Sequence, residues 1–370
     1  MNGYYPPPPY RYNVDPAQFH RPPDPAALGA RRHLRTLSVF AGLGLLGFLL
    51  MQQVFSTLLL WLGVGEIYQS NSLFQNACGI LYTVFCVGLP FLCIYFLLYT
   101  RREAPSIELH APLHKLRAFL LVLIGLLICM AGNYATNGLI FFFDLFHISL
   151  TAPETTAPSD ALSCVLLFIQ SAVAPAVVEE FAVRGVVMQP LRRYGDWFAI
   201  LMSSLVFAIM HGNLVQAPFA FIAGLGLGYA VIASGSLWVG ILIHFFNNSI
   251  SVVQTIAIAN LPAATVQVIS AVMIGTVIAA GAAALLVYLF KKGLRVVLPL
   301  SIVPLRRSEK LSAYLFTPPM VLALSLMIWA TRYYISVPFS TVLPTILFFV
   351  LAAAAFVYSF SSPKAGPVKM

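Results

Sequence analysis

Six polar side chains interrupt apolar sequence in the middle of the chain: Glu179, Glu180, Arg184, His211, His244 and Asn248. A charge in hydrocarbon is costly, so ionisable groups inside apolar spans face an interior and mark function. Glu180 and Arg184 are four residues apart, share a helical face and can pair as an internal salt bridge. Glu179 is turned by about 100° from its neighbour, which leaves one carboxylate tied to arginine and the other free. His244 and Asn248 are also four apart and project together. A carboxylate and a histidine converging in a low-dielectric pocket suit general-base activation of water. A second histidine and an asparagine amide supply donors for a tetrahedral oxyanion. Amide hydrolysis fits this inventory. The His-Glu-x-x-His helix of metalloproteases and the Gly-x-Ser-x-Gly elbow do not occur in the chain.

The groups can meet only if helices hold them at one depth. Apolar runs cover about 38–64, 76–99, 117–146, 161–190, 196–211, 214–232, 236–258, 264–290, 318–336 and 341–360. Each approaches the roughly 20 residues of a membrane span, so the expected fold is an all-α polytopic bundle of about ten spans (eight to ten). With an inner turn at Arg193–Gly195, Glu179 and His211 sit at depths of about 21 Å and 24 Å. They can therefore face one another across a hairpin. His244 and Asn248 rise about 12 to 18 Å from a helix start near Ser236, and Pro175 is expected to bend the fourth segment.

Charge placement orients the bundle. Basic clusters lie at Arg31, Arg32 and Arg35, at Arg101, Arg102, Lys115 and Arg117, at Arg192 and Arg193, from Lys291 to Lys310, and at Lys364 and Lys369. All fall on one side if ten spans are threaded with both termini in the cytoplasm, as the positive-inside rule requires. The opposite loops hold Glu66, Glu154 and Asp160, with Arg332 nearby. The expected divisions are a Pro-rich cytoplasmic tail (1–35), N-terminal spans (36–160), a catalytic core (161–260), C-terminal spans (261–361) and a short tail (362–370).

Composition points the same way. Of 370 residues, 60% are hydrophobic and 9% charged, against about 25% charged in soluble domains, and mean hydropathy is +0.88. The net charge of +9 is spread over loops that meet anionic headgroups, so nucleic acid is not an expected partner. Cys78, Cys86, Cys93, Cys129 and Cys164 form no Cys-x-x-Cys pair and read as small buried hydrophobes. No signal peptide opens the chain, whose first thirty residues are polar and rich in proline.

The stretches Glu179-Glu180-x-x-x-Arg184, Phe207-x-x-x-His211 and His244-x-x-x-Asn248 are similar to the three signature motifs of the CPBP (Abi) family of type II CAAX-prenyl endopeptidases and bacteriocin-processing or immunity proteins. Gly224, Gly226 and Gly228, then Ser234 to Trp238, fit the intervening sequence, and the likeness covers about 165–255. It implies an intramembrane endopeptidase acting on a peptide or membrane-associated protein. Glu179 would be the general base and His211 would position the water. His244 and Asn248 would form the oxyanion site, with Glu180 and Arg184 supporting the pocket. No cofactor is required by a glutamate mechanism, although Glu179, His211 and His244 could in principle form an open zinc site. The expected location is a cell membrane, crossed many times, and the tail and basic loops are bacterial in style.

Taken singly, each residue has a plainer role. A Glu–Arg pair sets helix registry, a membrane histidine or asparagine bonds a neighbouring helix, glycines let helices approach, and Phe207 is core. The conjunction favours catalysis. A non-enzymatic immunity or peptide-binding protein is the alternative, and full biological effect in a Glu179→Gln variant would favour it.

Overall fold

The computed structural model describes residues 24–103, 106–145, 148–153, 156–158, 160–299, 301, 303–336, 350–351 and 353–354. Ten principal helices follow one another: α1 (Pro25–Trp61), α2 (Ser72–Thr100), α3 (Lys115–Asp144), α4 (Ala161–Tyr194), α5 (Asp196–Met210), α6 (Ala217–Ser234), α7 (Leu237–Asn260), α8 (Ala263–Phe290), α9 (Arg307–Leu315) and α10 (Pro318–Ala330). Apolar content makes them helical, since backbone N–H and C=O groups in lipid must pair within the segment. Polar caps start them. The side chains of Asp24, Asn71 and Asp160 accept from the backbone N–H groups of Ala26, Phe74 and Ser163. Gly235 ends α6 in the left-handed region at φ 66°, a conformation glycine adopts without strain.

Among the described residues seven helices are long and apolar enough to cross a bilayer, or eight if α9 and the segment Pro318–Tyr334, bent by 74°, count as one broken span. The ten expected spans are thus reduced among the described residues, for two reasons. Helix α5 has 15 residues and extends about 22 Å, short of the roughly 30 Å hydrocarbon core. The tenth run, 341–360, lies outside the described residues apart from 350–351 and 353–354. Besides the helices there is one two-residue antiparallel pairing, Ser149–Leu150 with Ile335–Ser336.

The loop contacts gather the basic clusters at one end. Arg192 pairs with Asp196 at 2.9 Å and with Glu108 at 3.3 Å. Arg117 Nε donates to the Leu294 carbonyl, Lys310 Nζ to that of Tyr194, and the Tyr194 hydroxyl to that of Ala30. Residues 106–113 cross this end as a strap, where Leu237 N–H, Trp238 Nε1 and Ser236 Oγ donate to the carbonyls of Glu108, Leu109 and His110. The Ser149–Ser336 pairing and the bonds from Thr156 to Gln75 and Gln69 lie at the other end. Lys364 and Lys369 fall outside the described residues.

Three π-helical stretches interrupt α2 and α4, at Thr83–Gly88, Ile169–Val173 and Phe181–Met188. Each ends two residues before a proline: Pro90, Pro175 and Pro190. Proline has no N–H and its ring crowds the carbonyl four residues back. That carbonyl falls within the π stretch every time, and the widened turn relieves the clash. Pro175 breaks the fourth span in this way.

Helix α6 sits centrally because it is thin. A Cβ at Gly224 would lie 3.0 Å from Ser204 of α5, one at Gly228 3.3 Å from Ile200, and one at Gly226 3.0 Å from Ile128 of α3. Cys93 is exposed and Cys164 half-buried, so the reading of five buried cysteines holds for Cys78, Cys86 and Cys129 alone; all five are free thiols.

The tightest approach to backbone joins α1 to α10. A Cβ on Gly42 would come within 2.5 Å of the Met320 backbone nitrogen, and backbone cannot yield as a side-chain tip can. Gly42→Ala should lower the melting temperature in detergent through an overpacking cost of about 1–3 kcal/mol. Gly29→Ala, with nothing within 4 Å, should leave it unchanged.

Candidate active site

Helices α4, α5 and α7 bring the polar residues together beneath α6. The Arg184 guanidinium donates to Glu180 Oε1 at 2.8 Å, and both side chains are wholly buried. Across the helix interface, His244 Nδ1 lies 3.0 Å from that same oxygen. A carboxylate only accepts, so Nδ1 carries the proton of this bond. Glu180 therefore fixes both the arginine below it and the orientation of the imidazole. Gly240, one turn before His244, makes room for this, since a Cβ there would lie 3.0 Å from Glu180 Oε2.

Glu179 stands differently. Its side chain keeps 21% exposure where Glu180 has none, and its Oε2 lies 3.9 Å from His244 Nε2. The imidazole thus spans the two carboxylates, bonded to one and facing the other across a gap that a water can bridge.

His211 follows the last residue of α5. Its Nδ1 lies 2.8 Å from the Phe207 carbonyl, which is left without an intrahelical donor where the helix ends. Nδ1–H therefore donates, and in the neutral ring Nε2 is a free acceptor. The turn beyond His211 is tied by Asn213, which is fully buried. The Asn213 amide donates to the His211 carbonyl at 2.9 Å and to Gln216 Oε1 at 2.7 Å, while its Oδ1 accepts from Gln216 N–H.

Phe207 sits at the centre. Arg184 Cζ lies 4.4 Å over its ring, and the His211 and His244 rings meet it edge-on with centroids 4.9 Å and 5.8 Å away. Its face offers the guanidinium a cation–π contact, while its body keeps the two histidines apart.

Asn248 lies elsewhere. Its Nδ2 donates to the Ser171 backbone carbonyl at 2.9 Å, and its Oδ1 accepts from Asn247 at 3.1 Å. Glu179, Glu180, Arg184, His211 and His244 therefore form one constellation, with Asn248 one helical turn away on a different partner. Among the described residues no group of three His, Cys, Asp or Glu side chains is placed to hold a metal.

Sequence reasoning missed the His244–Glu180 bond, the place of Phe207, and the parts played by Gly240 and Asn213. Some signal was present. Phe207 and Gly240 each stand four residues before a histidine, hence on its face, and Gly212-Asn213 is turn chemistry between two apolar helices.

Residues 161–250 match the model of a family described as type II CAAX prenyl endopeptidase, Rce1-like. By this match the segment is similar to CAAX-protease domains of the CPBP type. No curated protein and no solved structure matches the chain. The matched segment begins with α4, just after its Asp160 cap, and ends within α7. It contains the whole constellation, supports a hydrolase role, and stands within a chain of several long apolar helices that make it a multi-pass membrane protein.

The buried pair sets a clear energetic expectation. Arg184→Met leaves the Glu180 carboxylate buried with one partner fewer and should destabilise the protein by about 3–5 kcal/mol. The double variant Glu180→Gln/Arg184→Met should recover more than half of that loss. Chemical denaturation in detergent, followed by tryptophan fluorescence, measures both.

Proposed function

We propose that this CAAX-protease domain hydrolyses a peptide bond of a membrane-associated protein or peptide with a water activated by Glu179. One observation carries the reading: of two adjacent carboxylates, Glu180 is consumed by Arg184 and His244, whereas Glu179 is left partly open opposite His244 Nε2. Binding alone does not call for such a division of roles.

In this mechanism the water hydrogen-bonds to Glu179 and to the free Nε2 of His211. Its oxygen attacks the scissile carbonyl carbon as Glu179 takes its proton. Protonated His244, held at Nδ1 by Glu180, donates Nε2–H to the oxyanion, so the charge meets an already oriented donor. Glu179 then returns the proton to the amide nitrogen, the C–N bond breaks, and an acid and an amine leave. Arg184 balances Glu180 throughout. No step passes through a metal ion. Asn248, expected on the oxyanion, is bonded to the Ser171 carbonyl one turn from His244.

The basic end is proposed as the cytoplasmic face of a cell membrane, with both termini on that side. The loop contacts that collect the Arg and Lys clusters support it. Cysteines placed at Arg102 and at Tyr333, near opposite ends, should label from opposite sides of sealed vesicles; labelling of both from one side would refute the topology.

Cleavage of a peptide library by detergent-purified protein tests the chemistry. Glu179→Gln and His211→Ala should each lower kcat at least about 100-fold, the scale of general-base catalysis, without changing the melting temperature by more than a few degrees. A chelator such as 1,10-phenanthroline should leave the rate unaltered. Cleavage retained by both variants would overturn the site, and loss of wild-type activity on chelation would overturn the metal-free route.

A further inference from the structure

We infer that Asn247 is a positioning residue: it holds the Asn248 side chain in the one orientation that leaves an amide hydrogen free for the substrate. The inference deepens the protease reading of the same site and rests on it. His244, Asn247 and Asn248 stand at i, i+3 and i+4 of α7 and share a face. Asn248 Nδ2 lies 2.9 Å from the Ser171 carbonyl oxygen, and Asn247 Nδ2 lies 3.1 Å from Asn248 Oδ1. A carbonyl only accepts, so Asn248 turns its NH2 to Ser171 and its Oδ1 to Asn247. Asn247 must then meet that oxygen with its own NH2, since two facing acceptors repel. The polarity of both amides follows from one backbone carbonyl.

An amide NH2 carries two hydrogens. Asn248 spends one on Ser171, and no described residue takes the other. With Oδ1 held by Asn247, that hydrogen is the one donor the side chain has left. At a spacing of four residues the Cβ atoms of His244 and Asn248 are about 5–6 Å apart. Two donors that each reach about 3 Å can meet one oxygen between them. His244 Nε2–H and the free Asn248 N–H are therefore able to share the oxyanion, where the family resemblance also expects Asn248. Without the Asn247 bond, the half-buried Asn248 amide keeps a single tether and turns about its broad terminal torsion.

Packing does not explain an asparagine at this place. Asn247 is 5% exposed, and its Oδ1 is buried with no donor to it among the described residues. An unmatched buried amide oxygen costs stability, so an apolar side chain would suit the fold better. The half of Asn247 that is used is the N–H on Asn248. A split follows. Removing the amide should lower turnover and leave the fold intact, because the orphaned oxygen goes with it.

The test is a double-mutant cycle on the full chain in detergent, with Asn247→Leu, Asn248→Ala and both together, read by kcat and KM on a cleaved peptide and by melting temperature. Asn248→Ala should lower kcat at least about 100-fold, the scale of a lost oxyanion donor. Asn247→Leu should lower kcat about tenfold, as misplacement of a catalytic group does, at little-changed KM. Its melting temperature should stay within about 3 °C of wild type. In the Asn248→Ala background the same substitution should change kcat less than about twofold. An equal factor in both backgrounds, or an unchanged kcat in Asn247→Leu, would overturn the inference. Should Asn247→Leu not fold, Asn247→Ala takes its place with the same expectations for kcat. A second arm needs no turnover: exchange of the Asn248 side-chain amide hydrogens with water, followed by NMR of protein carrying isotope-labelled asparagine and identified by their loss in Asn248→Ala. Exchange should quicken at least about tenfold in the residue 247 variant, and an unchanged rate overturns the inference whatever the enzyme does. Cleavage retained by Glu179→Gln would strike the protease reading and leave this second arm to decide the role of Asn247.

Discussion

A carboxylate with no exposure to solvent, set among apolar helices, dictates much of the arrangement around it. Glu180 cannot stay ionised there without compensation, and the chain surrounds one of its oxygens with the Arg184 guanidinium and the His244 ring. Those two contacts fix more than charge. The arginine in turn lies on Phe207 and reaches the Gly224 carbonyl, so α4, α5, α6 and α7 are joined through one buried ion. Desolvation cost alone makes such a pair a weak source of net stability. Its evident product is geometry: the imidazole is held with a known nitrogen towards Glu180 and the other towards Glu179.

Seen from that pair, the adjacent glutamates divide their labour by angle. The same rotation per residue that buries Glu180 turns Glu179 to where it keeps partial exposure. A single-residue shift in helix phase would exchange them and leave the site with a free carboxylate facing nothing. Control of phase therefore matters, and α4 is where the backbone is least regular. Two π stretches flank the short α segment Ala174–Glu180, each ended by a proline. The irregularity is local and caused; Asn248 of α7 bonds it at Ser171, and Gly79 of α2 leaves room beside it for Gln170.

Much of this was legible in the residues. Apolar runs placed every long helix, and the four-residue spacings placed Glu180 with Arg184 and His244 with Asn248 on common faces. Helix α5 reads as a span by hydropathy although its 15 residues are short for one, because hydropathy reports what lipid accepts and not length. Asn248 was expected beside His244 in the chemistry because spacing gives a shared face but no partner. The partner, the backbone carbonyl of Ser171 on another helix, has no sequence signature of its own. Gly240 and Phe207 had the right spacing but looked like ordinary packing residues.

The sequence by itself determined an apolar helical membrane chain, basic at one end of its spans, with costly ionisable groups confined to one block. These follow from solvation, which each residue carries with it wherever it lies. Tertiary structure decided which carboxylate is consumed and which is left open, which nitrogen of each histidine is committed, and that Asn248 bonds the Ser171 carbonyl. Such choices depend on hydrogen-bond distances of about 3 Å between helices far apart in sequence, and solvation preferences cannot set distances at that scale.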